Sequence, residues 1–276
     1  FESARAAGEE SGVYVEFMGR GLPSSYTGAE LVKIAMDAAV DGIIVEADES
    51  EEMTERINAA VDAGIPVVTL GSDCTGSSRQ SYVGVSFYTL GQIYGEEILR
   101  HTETGGGRIL VLASPGESDT YQNIIYSGLQ DTINRSGRGE EFSMEMLAVN
   151  DDVPFGAEES ISDLIRREEK LPEDIVCLNE LNTTCAFQAL IDYNRVGESR
   201  VFGYYENSSI LSAIRRGIVT ATAVIDTDEM GRSGVEALNE YLSDGYVNEY
   251  IPADIRMIDA EALKESEEED GDAELL

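Results

Sequence analysis

The chain has 276 residues, and its 54 acids against 19 bases give a formal net charge of −35. Phosphate binding needs a basic face, so nucleic acid is excluded as a partner of this segment, and the acid reads as a solvated surface. No run approaches the ~18 apolar residues of a membrane span, while a hydrophobic fraction of 42% supplies core for one large or two medium domains.

In chain order, Phe1–Ser11 reads as the tail of a helix ended at Gly12, and Val13–Met18 as a strand. One further strand is expected ahead of Phe1, because a doubly wound sheet begins on a strand. Leu31, Ile34, Ala35, Ala38 and Ala39 share a helical face. Ile43–Val45 is an apolar run of the kind a strand buried on both faces needs. Ser50 is placed to cap the next helix, whose first turn is acidic and whose apolar residues are Met53, Ile57, Ala60 and Val61. Gly64 supplies the left-handed residue that ends it, and Ile65–Leu70 is a second β-branched run. Strand, helix and strand make a βαβ unit with parallel strands.

Further on, Tyr82–Val85 is a short strand, and Leu90, Ile93, Tyr94, Glu97 and Ile98 mark a helix. Gly105–Gly107 follows a helix and precedes a strand, the reverse of a phosphate-cradling loop, so it reads as a linker or hinge. The pattern then restarts. Strands are expected at Arg108–Ala113, Phe142–Val149, Ile175–Leu178, Arg200–Tyr204 and Thr220–Ile225. Helices are expected at Tyr121–Arg135, Ala157–Glu169, Thr184–Asn194 and Ser208–Arg216. Two runs of βα units indicate two α/β lobes, each doubly wound and Rossmann-like. One more helix carries Met230, Val235, Leu238, Tyr241 and Leu242, and Tyr250–Ile258 is one extended segment. The acidic stretch 261–276 is expected to be disordered or loosely helical.

Chemistry-bearing motifs are absent: the chain holds no nucleophile elbow, Walker loop or zincin helix. The cysteines Cys74, Cys177 and Cys185 lack metal-ligand spacing, and the single histidine, His101, falls at a helix end where it complements the dipole. No metal or cofactor is called for. The expectation is a binding protein, not an enzyme.

V-D-G-I-I-V-E-A-D-E, D-A-G-I-P-V-V-T-L-G-S-D and Y-V-G-V-S-F-Y-T-L-G, followed by S-P-G-E-S-D-T-Y-Q-N, I-V-C-L-N-E, V-F-G-Y-Y-E and G-I-V-T-A-T-A-V-I-D, resemble the class I sugar-binding (ribose-binding-like) periplasmic binding proteins. The ligand-binding core of LacI-type repressors shares that fold. The resemblance implies two lobes joined by a three-strand hinge, with crossings near Gly105–Gly107, Ile225–Asp226 and Ile251–Pro252. It divides the chain into a first lobe of 1–104 plus 227–250, and a second of 108–225 plus 251–260. It also implies a small polar, carbohydrate-like ligand held between the lobes by hinge closure. The partner would be an ABC permease or a membrane sensor, and the location extracytoplasmic, either periplasmic or as an anchored lipoprotein. Two alternatives stand beside it: the core of a cytoplasmic LacI-type regulator, and an interaction module with a degenerate cleft.

Matched position by position, the family's charged sugar clamp is mostly lost. Ser86 and Phe87 stand where an Asp is usual, Asn123 where an Arg is, and Tyr205 where a second Asp is. Asn179 keeps a polar residue, Asp226 follows an apolar Ile225 at the second crossing, and Phe155 keeps an aromatic. The candidate ligand contacts are therefore Asn179, Tyr205, Asn123, Phe155, Phe87, Ser86 and Asp226. They are aromatic and amide in character, fit to stack on a ring face and to exchange hydrogen bonds.

Overall fold

The computed structural model describes residues 1–21, 26–114, 119–150 and 155–265. The chain divides into two compact units, Phe1–Ser86 with Ile225–Asp254, and Phe87–Val224 with the chain from Ile255 onward.

In the first unit, α1 (Glu2–Ser11) and α2 (Gly28–Asp37) precede β1 (Ile43–Val45), α3 (Glu51–Asp62), β2 (Val67–Leu70) and β3 (Ser81–Gly84). The local signals act as expected. Ser50 Oγ accepts the Met53 N–H at 3.1 Å and caps α3, and Gly64 takes φ 86° just beyond its end. Met53 and Ile57 are buried against β1 and β2, a burial of about 1.5–3 kcal/mol each. β1 pairs parallel with β2, Ile43 opposite Val67, and β2 pairs parallel with β3, Thr69 opposite Tyr82.

The second unit opens on α4 (Phe87–Arg100) and continues as β4 (Arg108–Ala113), α5 (Asp119–Arg135), β5 (Ser143–Ala148), α6 (Gly156–Arg167), β6 (Asp174–Cys177), α7 (Glu180–Asp192), β7 (Arg200–Tyr204), α8 (Ser208–Arg215) and β8 (Ala221–Ile225). α9 (Thr227–Asp244) and β9 (Tyr250–Pro252) then return to the first unit, where β9 pairs parallel with β3 and completes the order β1-β2-β3-β9. β10 (Ile255–Asp259) closes the second sheet, ordered β10-β8-β7-β6-β4-β5. A short helical turn follows as far as residue 265; the rest of the acidic tail lies outside the described residues.

Three expectations are corrected. Val13–Met18 joins neither sheet. The Val13 N–H bonds back to the Gly8 carbonyl at 2.8 Å, so the segment leaves α1 folded onto it, and no neighbouring strand among the described residues pairs with it.

The first crossing is not at Gly105–Gly107 but at Ser86–Phe87, and α4 belongs to the second unit. The reason is its apolar stripe: Leu90, Tyr94 and Ile98 are buried among Ile109, Val111, Val176 and Phe202, and Tyr94 Oη donates to the Gly203 carbonyl at 2.8 Å. The opposite face meets α5 backbone to backbone. A Cβ on Gly91 would lie 2.0 Å from the Ile125 oxygen, and one on Gly128 2.2 Å from the Tyr88 oxygen. The far end of α4 is pinned by Arg200, which donates to the His101 carbonyl and, at 2.7 Å, to Thr102 Oγ1. The same guanidinium grips the fully buried Asp174 through bonds of 2.7 and 2.9 Å. The triple glycine serves packing instead: a Cβ on Gly106 would collide with the Glu141 carbonyl at 1.8 Å.

The third correction concerns Tyr250–Ile258. It is two strands, one in each unit, broken at Ala253 and Asp254. The Ala253 N–H still bonds the Gly84 carbonyl at 2.8 Å and Asp254 O accepts the Asp226 N–H at 2.9 Å, so the crossing falls after Asp254, not at Ile251–Pro252.

Gly91→Ala is expected to lower the unfolding free energy by about 1–3 kcal/mol, since the new methyl meets rigid backbone. Gly234→Ala in α9, whose Cβ would find nothing closer than 3.5 Å, should instead raise it by about 0.5–1 kcal/mol through helix propensity. Urea denaturation of the two variants beside the parent checks both signs.

Candidate functional site

In open parallel sheets, ligands collect beyond the carboxyl ends of the strands, where the strand order reverses. In the second unit the reversal lies between β4 and β6, because β5 lies on one side of β4 and β6 on the other. Ser114 follows β4 and Asn179 follows β6. Asn179 Nδ2 donates to Ser114 Oγ at 2.9 Å, and Gln122 Nε2 donates to the Ser114 carbonyl at 2.8 Å. Asn179 Oδ1 accepts the Asn182 N–H at 2.7 Å and so caps α7. The Asn179 side chain is thus both a helix cap and part of the floor at the reversal point, with one amide hydrogen left to give.

Tyr205 follows β7 in the left-handed region, φ 75°, with 51% of its surface exposed. A tyrosine there is strained by roughly 1–3 kcal/mol. Two bonds hold it: its N–H donates to the Ala223 carbonyl at 2.8 Å, and its carbonyl accepts Thr222 Oγ1 at 2.7 Å. The ring is left outward. Phe155, just ahead of α6, repeats the pattern with φ 65° and 79% exposure.

Phe87 opens α4, and its ring lies 4.6 Å from that of Tyr121 in the first turn of α5, tilted by 34°. Asn123 is exposed one turn into α5, its carbonyl accepting Ser127 Oγ at 2.8 Å.

Five of the seven predicted contacts (Phe87, Asn123, Phe155, Asn179 and Tyr205) therefore belong to the second unit, and Ser86 and Asp226 to the first. Ser86 bonds the Tyr250 hydroxyl, and the Asp226 carboxylate caps α9 by accepting the N–H groups of Asp228 and Glu229 at 3.1 and 2.8 Å. Sequence reasoning passed over Ser114, Gln122 and Tyr121. The available signal was positional: all three occupy the end of β4 or the first turn of the helix after it.

The corresponding strand end in the first unit is built on Asp73, after β2. Its carboxylate takes Arg79 through two bonds of 2.5 Å, Thr69 Oγ1 at 2.6 Å and the Cys74 N–H at 2.8 Å. Burial pushes the Asp73 pKa up, but these donors together outweigh it and hold it below the ordinary aspartate value. Arg79 also donates to the Glu249 carbonyl at 3.2 Å and so ties the loop after β2 to the approach to β9.

A family model described as periplasmic binding protein domain matches residues 1–245. No curated protein matches. Among solved structures, the XylFII-LytSN complex is 26% identical over 94% of this chain and 91% of its own, with TM-score 0.71. A sugar ABC transporter (sugar-binding protein) from Bacillus halodurans is 20% identical over 94% and 91%, with TM-score 0.80. AraP, an arabinose binding protein from Geobacillus stearothermophilus, is 19% identical over 96% and 92%, with TM-score 0.81. The last two likenesses speak to fold.

Two predictions come from these side chains. Asn182, in the first turn of α7, is fully buried, and neither side-chain amide atom has a partner. A stranded buried amide costs about 1–3 kcal/mol, so Asn182→Leu should raise thermal stability, as scanning calorimetry would show.

The second concerns pH. Because the folded Asp73 pKa lies below its unfolded value, its stabilisation is complete above about pH 4–5 and is lost as pH falls through the folded pKa. Asp73→Asn should destabilise at neutral pH by more than the ~1 kcal/mol of an exposed pair, since Arg79 is left part-buried. The gap between variant and parent should narrow as pH falls below the ordinary aspartate range and through the lowered folded pKa; urea melts across the acid range measure it.

Proposed function

The chain belongs to the periplasmic binding protein domain family, and from that premise we propose that it is an extracytoplasmic solute-binding protein for a sugar-like ligand. The observation that carries the reading is the strand-end row of the second unit. A hydrogen-bonded polar floor of Ser114, Asn179 and Gln122 has Tyr205, an exposed aromatic residue kept in a strained backbone conformation, after the neighbouring strand β7. Strain of that kind persists where surrounding structure over-determines it, and it clusters at ligand clamps. Aromatic faces pack on the apolar face of a sugar ring, and amides and hydroxyls exchange hydrogen bonds with its hydroxyls.

The names of the similar structures support the ligand class: one is a sugar-binding protein and another binds arabinose. They also support delivery to an ABC importer. The XylFII-LytSN complex supports a second role, in which the loaded protein is read by a protein partner of the sensor kind. The chain passes between the two units three times, at Ser86–Phe87, Val224–Ile225 and Asp254–Ile255. The regulator-core alternative is not favoured, because two of the similar structures named above are a sugar-binding protein and an arabinose binding protein.

A thermal-shift series with arabinose, xylose, galactose and glucose tests the reading. A cognate sugar at 100 times its Kd should stabilise the chain by about 2.7 kcal/mol through mass action. Tyr205→Ala should weaken that sugar about tenfold, roughly 1.4 kcal/mol, while leaving the melting temperature of the free protein unlowered. Absence of a shift with every sugar at millimolar concentration would reject a sugar ligand.

A further inference from the structure

Resting on that reading, which makes Tyr205 a ligand contact, we infer that Thr222 is a positioning residue of the sugar site. Its buried hydroxyl holds Tyr205 in the backbone conformation that presents the ring to the ligand. Three observations carry it.

The first is the bond itself. Thr222 lies on β8, is fully buried, and donates from Oγ1 to the Tyr205 carbonyl at 2.7 Å. The Tyr205 N–H donates to the Ala223 carbonyl at 2.8 Å. The N–H belongs to the rigid peptide before Tyr205 and the carbonyl to the one after it, so the two bonds together fix both torsions of the residue. A left-handed tyrosine persists only where its surroundings over-determine it in this way.

The second is the chain just ahead. β6 pairs with β7 only as far as Val176 opposite Phe202. Beyond that point Thr183 on α7, also fully buried, accepts the Tyr204 N–H at 3.0 Å and donates to the Asn179 carbonyl at 2.7 Å. The backbone entering Tyr205 is thus fixed from the side of β6 and Asn179. What remains to be set is the peptide leaving Tyr205, and Thr222 sets it.

The third is space. Gly203 stands opposite Thr222 in the β7–β8 register, and a Cβ there would lie 2.5 Å from Thr183 Cγ2 and 3.1 Å from Thr222 Oγ1. The absent side chain lets both threonines reach the end of the strand. Valine at 222 would fill nearly the same shape but offer no donor, and so release the Tyr205 carbonyl.

Isothermal titration of the whole chain with arabinose, xylose, galactose and glucose tests this. For a sugar that binds, Thr222→Val should weaken affinity by about threefold or more, and Thr222→Ser, which keeps the donor, by less than that. In the Tyr205→Ala background no ring remains to be held, so there Thr222→Val should weaken affinity by less than about threefold. A threonine that merely supported the fold would lower the melting temperature without this dependence on the ring. The melting temperature of each free variant shows that it folds, and Thr222→Ala replaces Thr222→Val in both backgrounds if the valine variant does not. Weakening below threefold in the parent background overturns the inference and leaves the sugar reading standing. So does weakening of threefold or more in the Tyr205→Ala background, or in Thr222→Ser. Binding of none of the four sugars by the parent overturns the sugar reading and this inference with it.

Discussion

The contact on which the second unit depends is the backbone-to-backbone seat of α4 on α5. Gly91 and Gly128 remove the side chains that would hold the helices apart, at 2.0 and 2.2 Å from backbone oxygens had they carried a Cβ. That approach lets Leu90, Tyr94 and Ile98 reach the sheet and seal one of its faces. It also brings Phe87 at the start of α4 against Tyr121 at the start of α5, so the aromatic pair beside the strand-end row is a product of helix packing. At the other end Arg200 fastens the helix to the buried Asp174, whose pKa burial raises in spite of the guanidinium. The carboxylate stays tolerable there only because the pair is bidentate.

Much of the fold was legible because local and global preferences agree. The run Ile43–Val45, the cap at Ser50, the stripe Met53–Ile57–Ala60 and the left-handed Gly64 each fix one step of a βαβ unit, and each took its expected place. The misreadings share a cause. Val13–Met18 has the apolar character of a strand but, among the described residues, no strand beside it, and strand formation is a property of a pair. Gly105–Gly107 suggests a hinge because three glycines suggest freedom, while here Gly106 and Gly107 make room for the Glu141 and Glu173 segments and Gly105 supplies a left-handed turn. Periodicity along α4 showed a helix and a buried face, but not which sheet that face would meet.

The candidate site was less legible than the fold. Tyr205 and Phe155 could be placed by their position after strands, but their left-handed backbone could not, since aromatic residues seldom adopt it. Asn179 carries an amide that both donates and accepts. Its acceptor is committed to the α7 cap, and the hydroxyl that takes its donor, Ser114, lies 65 residues away in the chain. A hydrogen-bonded floor of this sort depends on strand order, which sequence spacing alone does not encode.

The passages of the chain between units also bear on synthesis. The second unit is inserted into the first: between β3 and its neighbour β9 lie all of β4 to β8. A chain leaving the ribosome therefore holds β1, β2 and β3 long before α9 and β9 arrive to flank them, while the sheet of the second unit has five of its six strands by Ile225. Domains usually fold as units from the N-terminus onward during translation. Here the unit begun first is finished only after most of the second has been made, and the early β1–β3 segment must stay free of aggregation while it waits. Its helices are heavily acidic, with Glu51, Glu52 and Glu55 on α3 alone, and like charge of that density keeps incomplete chains apart.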